Sequence, residues 1–409
     1  MKLCYAIVMD TLNEDCIVQI LQYLSLKDQI AVLLSNESLI DILGSMWKIK
    51  YKRQLLLKLK AEMPIEIYEL KQFLRVVHPY IENLQLELES KNMISVLNGF
   101  KFIKTSNLYI TVGSSEMLEH EFVTILHDIF PNVKVLQPNG KFTGAGFAMW
   151  KSLEQLTLTS CYIFRFHYLE RILQELPLNT LILKSFKMKL PRLAENALQY
   201  CRLRVLILSS YELSYFTPQL KNLQHLKELY ISDLFSTANL DSLHKKLGEM
   251  HHTRHIEGIY TRDITTIFPK IINCRMHTHL RRLILAVDPL AFSDMLIYIC
   301  LLPTLRVLHF HACYVRSELD FQKLFLVSAH LDEISLEGCI ISYGSNPSLN
   351  VNEVVENRTK PITLNFYANK LDDENKMAEL QITGRSNLFI LECEQKLKKR
   401  CGYLVYEFG

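Results

Sequence analysis

The sequence predicts an α/β fold in which a short helical module leads into a solenoid of strand-bearing repeats. Three observations point there: two capped amphipathic segments near the amino terminus, an apolar pattern recurring about every 25 residues, and a composition that can bury a large core. The 409 residues are 49% hydrophobic and 22% charged, with 13 Gly and 12 Pro. That balance excludes a disordered or low-complexity chain. With 46 basic against 43 acidic residues the net charge is +3, which favours neither nucleic acid nor a membrane as partner.

Residues 9–53 carry the helical module. Thr11-x-x-Glu14 has the form of a capping box, and Ser25-x-x-Asp28 that of a second with Asp in place of Glu. Between them Ile17, Ile20, Leu21 and Leu24 recur at helical spacing and form one apolar stripe. Ile30, Leu33 and Leu34 repeat the pattern after the second cap, and "SNESLIDIL" leads on to Trp47 and the basic run "KIKYKR". Some forty residues bury too little surface to be stable alone, so such a module leans on a neighbour or a partner. Residues 54–80 are expected as a helical linker and cap, with Ile67, Leu70, Leu74 and Val77 on one helix face.

Residues 81–409 hold about thirteen repeats. "LEQLTLTSCYI" from Leu153, "LRVLHFHACYV" from Leu305 and "LDEISLEGCII" from Leu331 share apolar-x-x-apolar-x-apolar-x-x-Cys-x-apolar. "LNTLILKSFKM", "LRVLILSSYEL", "LKELYISDL" and "LRRLILAVDPL" keep the apolar triplet, and the seven starts are spaced by 25, 25, 23, 54, 25 and 26 residues. The gap of 54 hides a degenerate copy around "TRHIEGIYTRDI". Weaker copies are "IENLQLEL", "TSNLYITV", "VKVLQP", "TKPITLNFYAN" and "RSNLFILEC". The triplet is a short strand whose alternate side chains point inward. A return segment such as "FRFHYLERILQELP" covers the other side, and stacking buries what no single repeat can.

Cys161, Cys313, Cys339 and Cys393 fill the turn position after the triplet and are read as structural. The alternate strand positions face away from that core. They supply the expected target-binding surface: Ile182, Ile207, Tyr230, Arg282, Ile284, His309 and His311.

No catalytic residue, metal ligand or cofactor is expected. "NGKFTGAGF" has glycines but no G-K-S/T, and no G-x-S-x-G elbow occurs. His251, His252 and His255, like His277 and His279, lack a Cys or carboxylate at metal-ligand spacing. "KLKKR" (396–400) reads as a solvated charge run. Ten cysteines without a CxxC pair suit a reducing compartment. The run "LCYAIVM" lacks a cleavage site, and "MLIYICLLP" is far short of the roughly 20 residues of a membrane span. A soluble protein of the cytoplasm or nucleus is expected.

The repeats resemble the leucine-rich-repeat family in its longer, cysteine-containing form, which implies a ribonuclease-inhibitor-like horseshoe. Residues 9–53 resemble the F-box. Leu12 matches its leading Leu, Ile20 the central Ile, Leu24 the Leu that ends the first helix, Ile30 the apolar position after Asp28, and Trp47 the later Trp. Asn13 stands in place of Pro, Ser35-Asn36 in place of Val-Cys, and Leu39 where the first Trp is expected. Together the resemblances imply a substrate receptor of an SCF-type (Skp–cullin–F-box) ubiquitin ligase. Leu12, Ile17, Ile20, Leu21, Leu24, Ile30 and Trp47 would dock on the Skp adaptor and through it a cullin, while the repeats hold a target protein for ubiquitination. Such a chain is a non-catalytic adaptor. A non-ligase leucine-rich-repeat scaffold and a GTPase-regulating protein are the alternatives.

Overall fold

The structure, a computed structural model, describes residues 13–63, 65–113, 116–159, 161, 163–184, 198, 201–209, 212, 216, 223, 225–232, 258–261, 280–285, 302–311, 314–315, 322, 324–326, 329–341, 347–356, 358–371 and 377–392. It is a mixed α/β chain of parallel strands and helices that divides into two compact units, residues 1–201 and 202–409. Among the described residues no helix is long and apolar enough to cross a membrane.

Among the described residues the amino-terminal unit begins with the α-helices α1 (Glu14–Gln22), α2 (Leu26–Ser35) and α3 (Ile40–Lys52). Asn13 caps α1: its side chain accepts the Cys16 N–H at 2.8 Å. The expected cap, Thr11, lies outside the described residues. Ser25 caps α2 as expected, with Oγ accepting the Asp28 N–H at 3.2 Å and donating to the Asp28 carboxylate at 2.6 Å. Each cap satisfies an amide that the first helical turn leaves without a partner.

Residues 54–80 are not wholly helical. A strand, β1 (Leu55–Leu59), precedes the helix α4 (Ile67–Val77). In "LLLKL" the leucines at alternate positions are buried, so the segment follows the strand period of two. On α4 the buried face is Leu70, Phe73, Leu74 and Val77, and Ile67 is left exposed at the first turn.

Strands β2 (Asn83–Leu88), β3 (Asn107–Val112), β4 (Val135–Asn139), β5 (Gln155–Thr159) and β6 (Thr180–Lys184) follow β1 in order, each parallel to the last. Their register aligns the apolar triplets. Leu55, Leu84, Leu108 and Leu136 stand side by side, and Leu136 continues to Leu156 and Leu181. Helices α5 (His120–Ile129) and α6 (Phe166–Glu175) cover this ladder with Phe122, Val123, Leu126, Leu169, Ile172 and Leu173.

Seven of the described repeats enter their strands through the same hydrogen-bond device. One carbonyl accepts two successive amides of the following repeat: Glu82 O from Ser106 and Asn107, Ser106 O from Lys134 and Val135, Lys134 O from Glu154 and Gln155, and Glu154 O from Asn179 and Thr180. In the other unit Arg204, Arg281 and Arg306 carbonyls do the same. Thr105 and Thr304 occupy equivalent sites, and each hydroxyl donates to the carbonyl 24 residues before it, at Ile81 and Leu280.

The carboxy-terminal unit contains β7 (Val205–Ser209), β8 (Glu228–Ser232), β9 (Gly258–Thr261), β10 (Arg282–Leu285), β11 (Val307–His311), β12 (Tyr314–Val315), β13 (Glu333–Glu337), β14 (Ile340–Ile341), β15 (Ser348–Asn350), β16 (Ile362–Tyr367), β17 (Lys370–Leu371), β18 (Gln381–Thr383) and β19 (Phe389–Glu392). β7 to β11, then β13, β16 and β19, pair in parallel in that order. β9 is the degenerate copy expected in the 54-residue gap. β12, β14 and β17 form a second small parallel sheet just after the triplets, and β15 pairs with β18.

The turn position behaves as the pattern suggests where it is described. Cys161 and Cys339 are buried, and burial pushes the Cys161 thiol up to about 12. In the β16 repeat Asn369 takes the cysteine's place. Its Oδ1 accepts the Cys339 N–H at 2.8 Å and its Nδ2 donates to Leu336 O at 3.1 Å. Cys313 and Cys393 lie outside the described residues.

Candidate functional site

The helical module is built around a buried amide. Gln29 on α2 donates through Nε2 to the carbonyls of Leu21 at 2.8 Å and Leu24 at 3.1 Å, at the end of α1. Its Oε1 accepts the Trp47 indole N–H at 2.6 Å. One side chain thus binds the Leu24 carbonyl just beyond α1, adds a second donor to the Leu21 carbonyl, which also accepts the Leu24 N–H at 3.1 Å, and satisfies the only polar side-chain atom of a buried tryptophan. Ile17, Leu21, Ile30, Leu33, Leu43, Met46 and Trp47 are the buried apolar side chains of the same three helices. Burial of each such side chain is worth roughly 1.5–3 kcal/mol. Phe73 of α4 meets Trp47 and Tyr51 edge-on, with centroids 5.1 Å away in both cases. The module therefore shares its core with α4, which supplies the support that forty residues lack.

This core corrects four of the expected adaptor contacts. Ile17, Leu21, Ile30 and Trp47 are at most 4% exposed and face their own module. Helical spacing identifies an apolar stripe, but a stripe wide enough for two neighbours has an inner and an outer margin. Ile20, at 41% exposure, and half-buried Leu24 form the outer margin. Leu12 lies outside the described residues. Two residues not anticipated join them: Tyr23, 89% exposed at the end of α1, and Leu34, 43% exposed on α2. Ile20 and Tyr23 stand at i and i+3 at the end of α1, so their side chains are neighbours, and Leu24 follows just beyond the helix. The signal for Tyr23 was present in the sequence as a large aromatic next to the Ser25 cap.

The expected target surface fares differently. Ile182, Ile207, Ile284 and His309 are only 1–3% exposed. Both faces of these parallel strands are buried, as parallel sheets generally are. In-register neighbours on the same face are buried too: Thr157 beside Ile182, and Ser335 beside His309, with Asn365 beyond. His309 pairs with Glu333 at 2.9 Å, and the Ser335 hydroxyl donates to the same carboxylate at 3.2 Å. These positions stabilise the sheet and offer no contact area. Arg282 is half-buried and bonds to Glu228 at 2.9 Å across the intervening β9. Gly258 of β9 is in register with both, so no side chain blocks the span. The side chains of Tyr230 and His311 lie outside what is described; their backbones stand in β8 and β11.

The corresponding face is open across β1 to β4, before it closes over Thr157 and Ile182. Leu56, Gln85, Tyr109 and Gln137 form one row across β1 to β4. Leu56 is exposed and the other three are half-buried. Lys58 and Glu87 pair beside the row at 2.8 Å, and Gln85 Nε2 donates to Glu87 at 3.1 Å. The row is apolar at one end and rich in amide and hydroxyl groups at the other, a mixture suited to holding a polypeptide.

Among the described residues no group of three or more His, Cys, Asp or Glu is placed to hold a metal ion. His251, His252, His255, His277, His279 and residues 396–400 lie outside them. No protein-family model matches this chain, and no curated protein matches it in sequence.

Proposed function

We propose that the chain is the substrate-recognition subunit of an SCF-type ubiquitin ligase, an F-box/leucine-rich-repeat protein. The amino-terminal helices dock on the Skp adaptor, and the repeats present a target for ubiquitination by enzymes held elsewhere in the assembly. The observation that carries the reading is the exposed apolar margin Ile20, Tyr23 and Leu24, with Leu34 nearby in sequence on the next helix, on a module whose core is already complete without it. Large apolar side chains kept in water beside a satisfied core mark a docking surface. The chain's contribution to the reaction is proximity: it raises the local concentration of target at the transfer site. The open row Leu56, Gln85, Tyr109 and Gln137 is the favoured target contact, in place of the buried positions further along the strands.

Co-purification with the Skp adaptor tests this. Ile20→Lys with Tyr23→Ser is expected to abolish capture while leaving the near-ultraviolet circular dichroism of Trp47 and Trp150 unchanged, since neither substituted side chain is in the core. Tyr109→Ala is expected to leave adaptor capture intact and to reduce recovery of ubiquitinated targets. A folded wild-type chain that never captures the adaptor would sink the ligase reading and leave that of a scaffold.

A further inference from the structure

We propose that a cleft of about 390 Å³ on the amino-terminal unit binds a small amphiphilic anion, a molecule with an apolar body and one phosphate or carboxylate head. Its volume falls within the roughly 300–1,000 Å³ typical of small-molecule sites. The proposal does not rest on adaptor docking and concerns a different part of the chain.

One wall is the turn that leads into Phe147–Met149, the glycine-bearing stretch that lacks a phosphate-loop lysine. Gly144 and Gly146 have φ of +89° and +86°, the left-handed region that favours glycine. A Cβ on Gly144 would stand 2.5 Å from the Phe164 ring, and one on Gly146 would stand 2.9 Å from His120 Nδ1. Glycine here lets the chain approach both neighbours and line the cleft with main chain alone. Ala148 and Met149 extend this wall, and both are half-buried.

The opposite wall is one face of α6. Tyr168, Arg171 and Ile172 stand at i, i+3 and i+4, which places a phenol, a guanidinium and an apolar side chain together. Lys151 adds a second cation and His120 an imidazole. No carboxylate lines the cleft. Glu175 stands just behind, bonded to Arg171 Nε at 2.6 Å and to Lys151 Nζ at 3.0 Å. The two bonds hold its carboxyl below the usual range, Arg171 contributing most. One carboxylate against two cations leaves an excess positive charge at the rim above a mostly apolar interior. An apolar body enters that interior, and its anionic head meets Lys151 and Arg171.

Calorimetric titration of the full-length chain with phenyl phosphate, phenylacetate, inorganic phosphate and benzyl alcohol tests the assignment. At least one of the two anions with a ring is expected to bind at least about tenfold more tightly than inorganic phosphate or benzyl alcohol, and the preferred one identifies the head. Lys151→Met with Arg171→Met removes the rim charge on exposed side chains and is expected to weaken that binding by about tenfold or more, the scale of a charge-assisted hydrogen bond. Ala148→Phe fills the interior and is expected to remove binding altogether. Equal affinity for inorganic phosphate, an unchanged affinity in the double variant, or no binding of either ring-bearing anion overturns the proposal.

Discussion

The Trp47 indole donates to Gln29 at 2.6 Å while the same Gln29 side chain closes the end of α1 through Leu21 and Leu24. Three helices meet at one amide. Gln29→Ala takes their partner from the indole N–H and the Leu24 carbonyl and leaves the Leu21 carbonyl with the Leu24 N–H alone, and a buried group stranded in this way costs about 1–3 kcal/mol. Hydrogen-exchange protection of residues 14–52 is expected to fall by roughly 2–3 kcal/mol, while that of β2 and β3 is retained. Equal loss in the strands would show that the module is not the unit held by this amide.

Gly338 and Ala368 occupy the same place in successive repeats, just ahead of Cys339 and Asn369, with φ of 64° and 52°. Nothing lies within 4 Å of where a Gly338 Cβ would be, so the left-handed backbone alone disfavours a side chain there. Ala368→Gly is therefore expected to stabilise the β13–β16 region by about 0.5–1 kcal/mol and Gly338→Ala to destabilise it by a similar amount. Hydrogen exchange of residues 333–371 reads both.

Cysteine labelling should follow burial. Cys16 is exposed, whereas Cys161 and Cys339 are buried and the Cys161 thiol is pushed up to about 12. The thiolate is the reactive form. Iodoacetamide at neutral pH is expected to modify Cys16 in the native protein and to reach Cys161 and Cys339 only after denaturation. Native-state labelling of Cys161 would contradict its place in the core.

Burial, with the nearby charge of Arg306, lowers the pKa of His330 from its ordinary 6.5. The unfolded chain then takes up a proton at higher pH than the folded chain. The stability associated with a neutral His330 is full above 6.5 and is lost as pH falls through the lowered folded value. Between about pH 7.5 and about pH 5.5 the wild type is expected to lose more thermal stability than His330→Asn. Identical slopes would remove His330 from the acid response.

The repeat frame was legible because the apolar triplets recur in fixed register, down to the weak copy that becomes β9. The strand at Leu55–Leu59 was not, since "LLLKL" lies between helical patterns and its run of leucines hides the alternation. Alternation tells which side of a strand a residue takes, but not whether that side meets water; hence Ile182, Ile207, Ile284 and His309 were assigned outward and are buried. Likewise the spacing of Ile17, Ile20, Leu21 and Leu24 marks one stripe, and only packing against Gln29, Trp47 and Phe73 separates its inner margin from its outer one. Exposed Tyr23 and half-buried Gln85 and Tyr109 are open to detection as neighbours or counterparts of positions already in the pattern.

The shared carbonyl at repeat entries such as Glu82 O or Arg306 O fixes more than strand register. Along the run from Glu82 to Glu154 each repeat presents an acceptor to the next and takes its own amides' acceptor from the last, so neighbours there join by the same fitting. Removing or duplicating one whole period of that run leaves these fittings matched, whereas removing a fraction of a period strands a carbonyl and two amides. Length in such a chain is inherited in whole steps, and gene duplication can extend it without inventing a new interface.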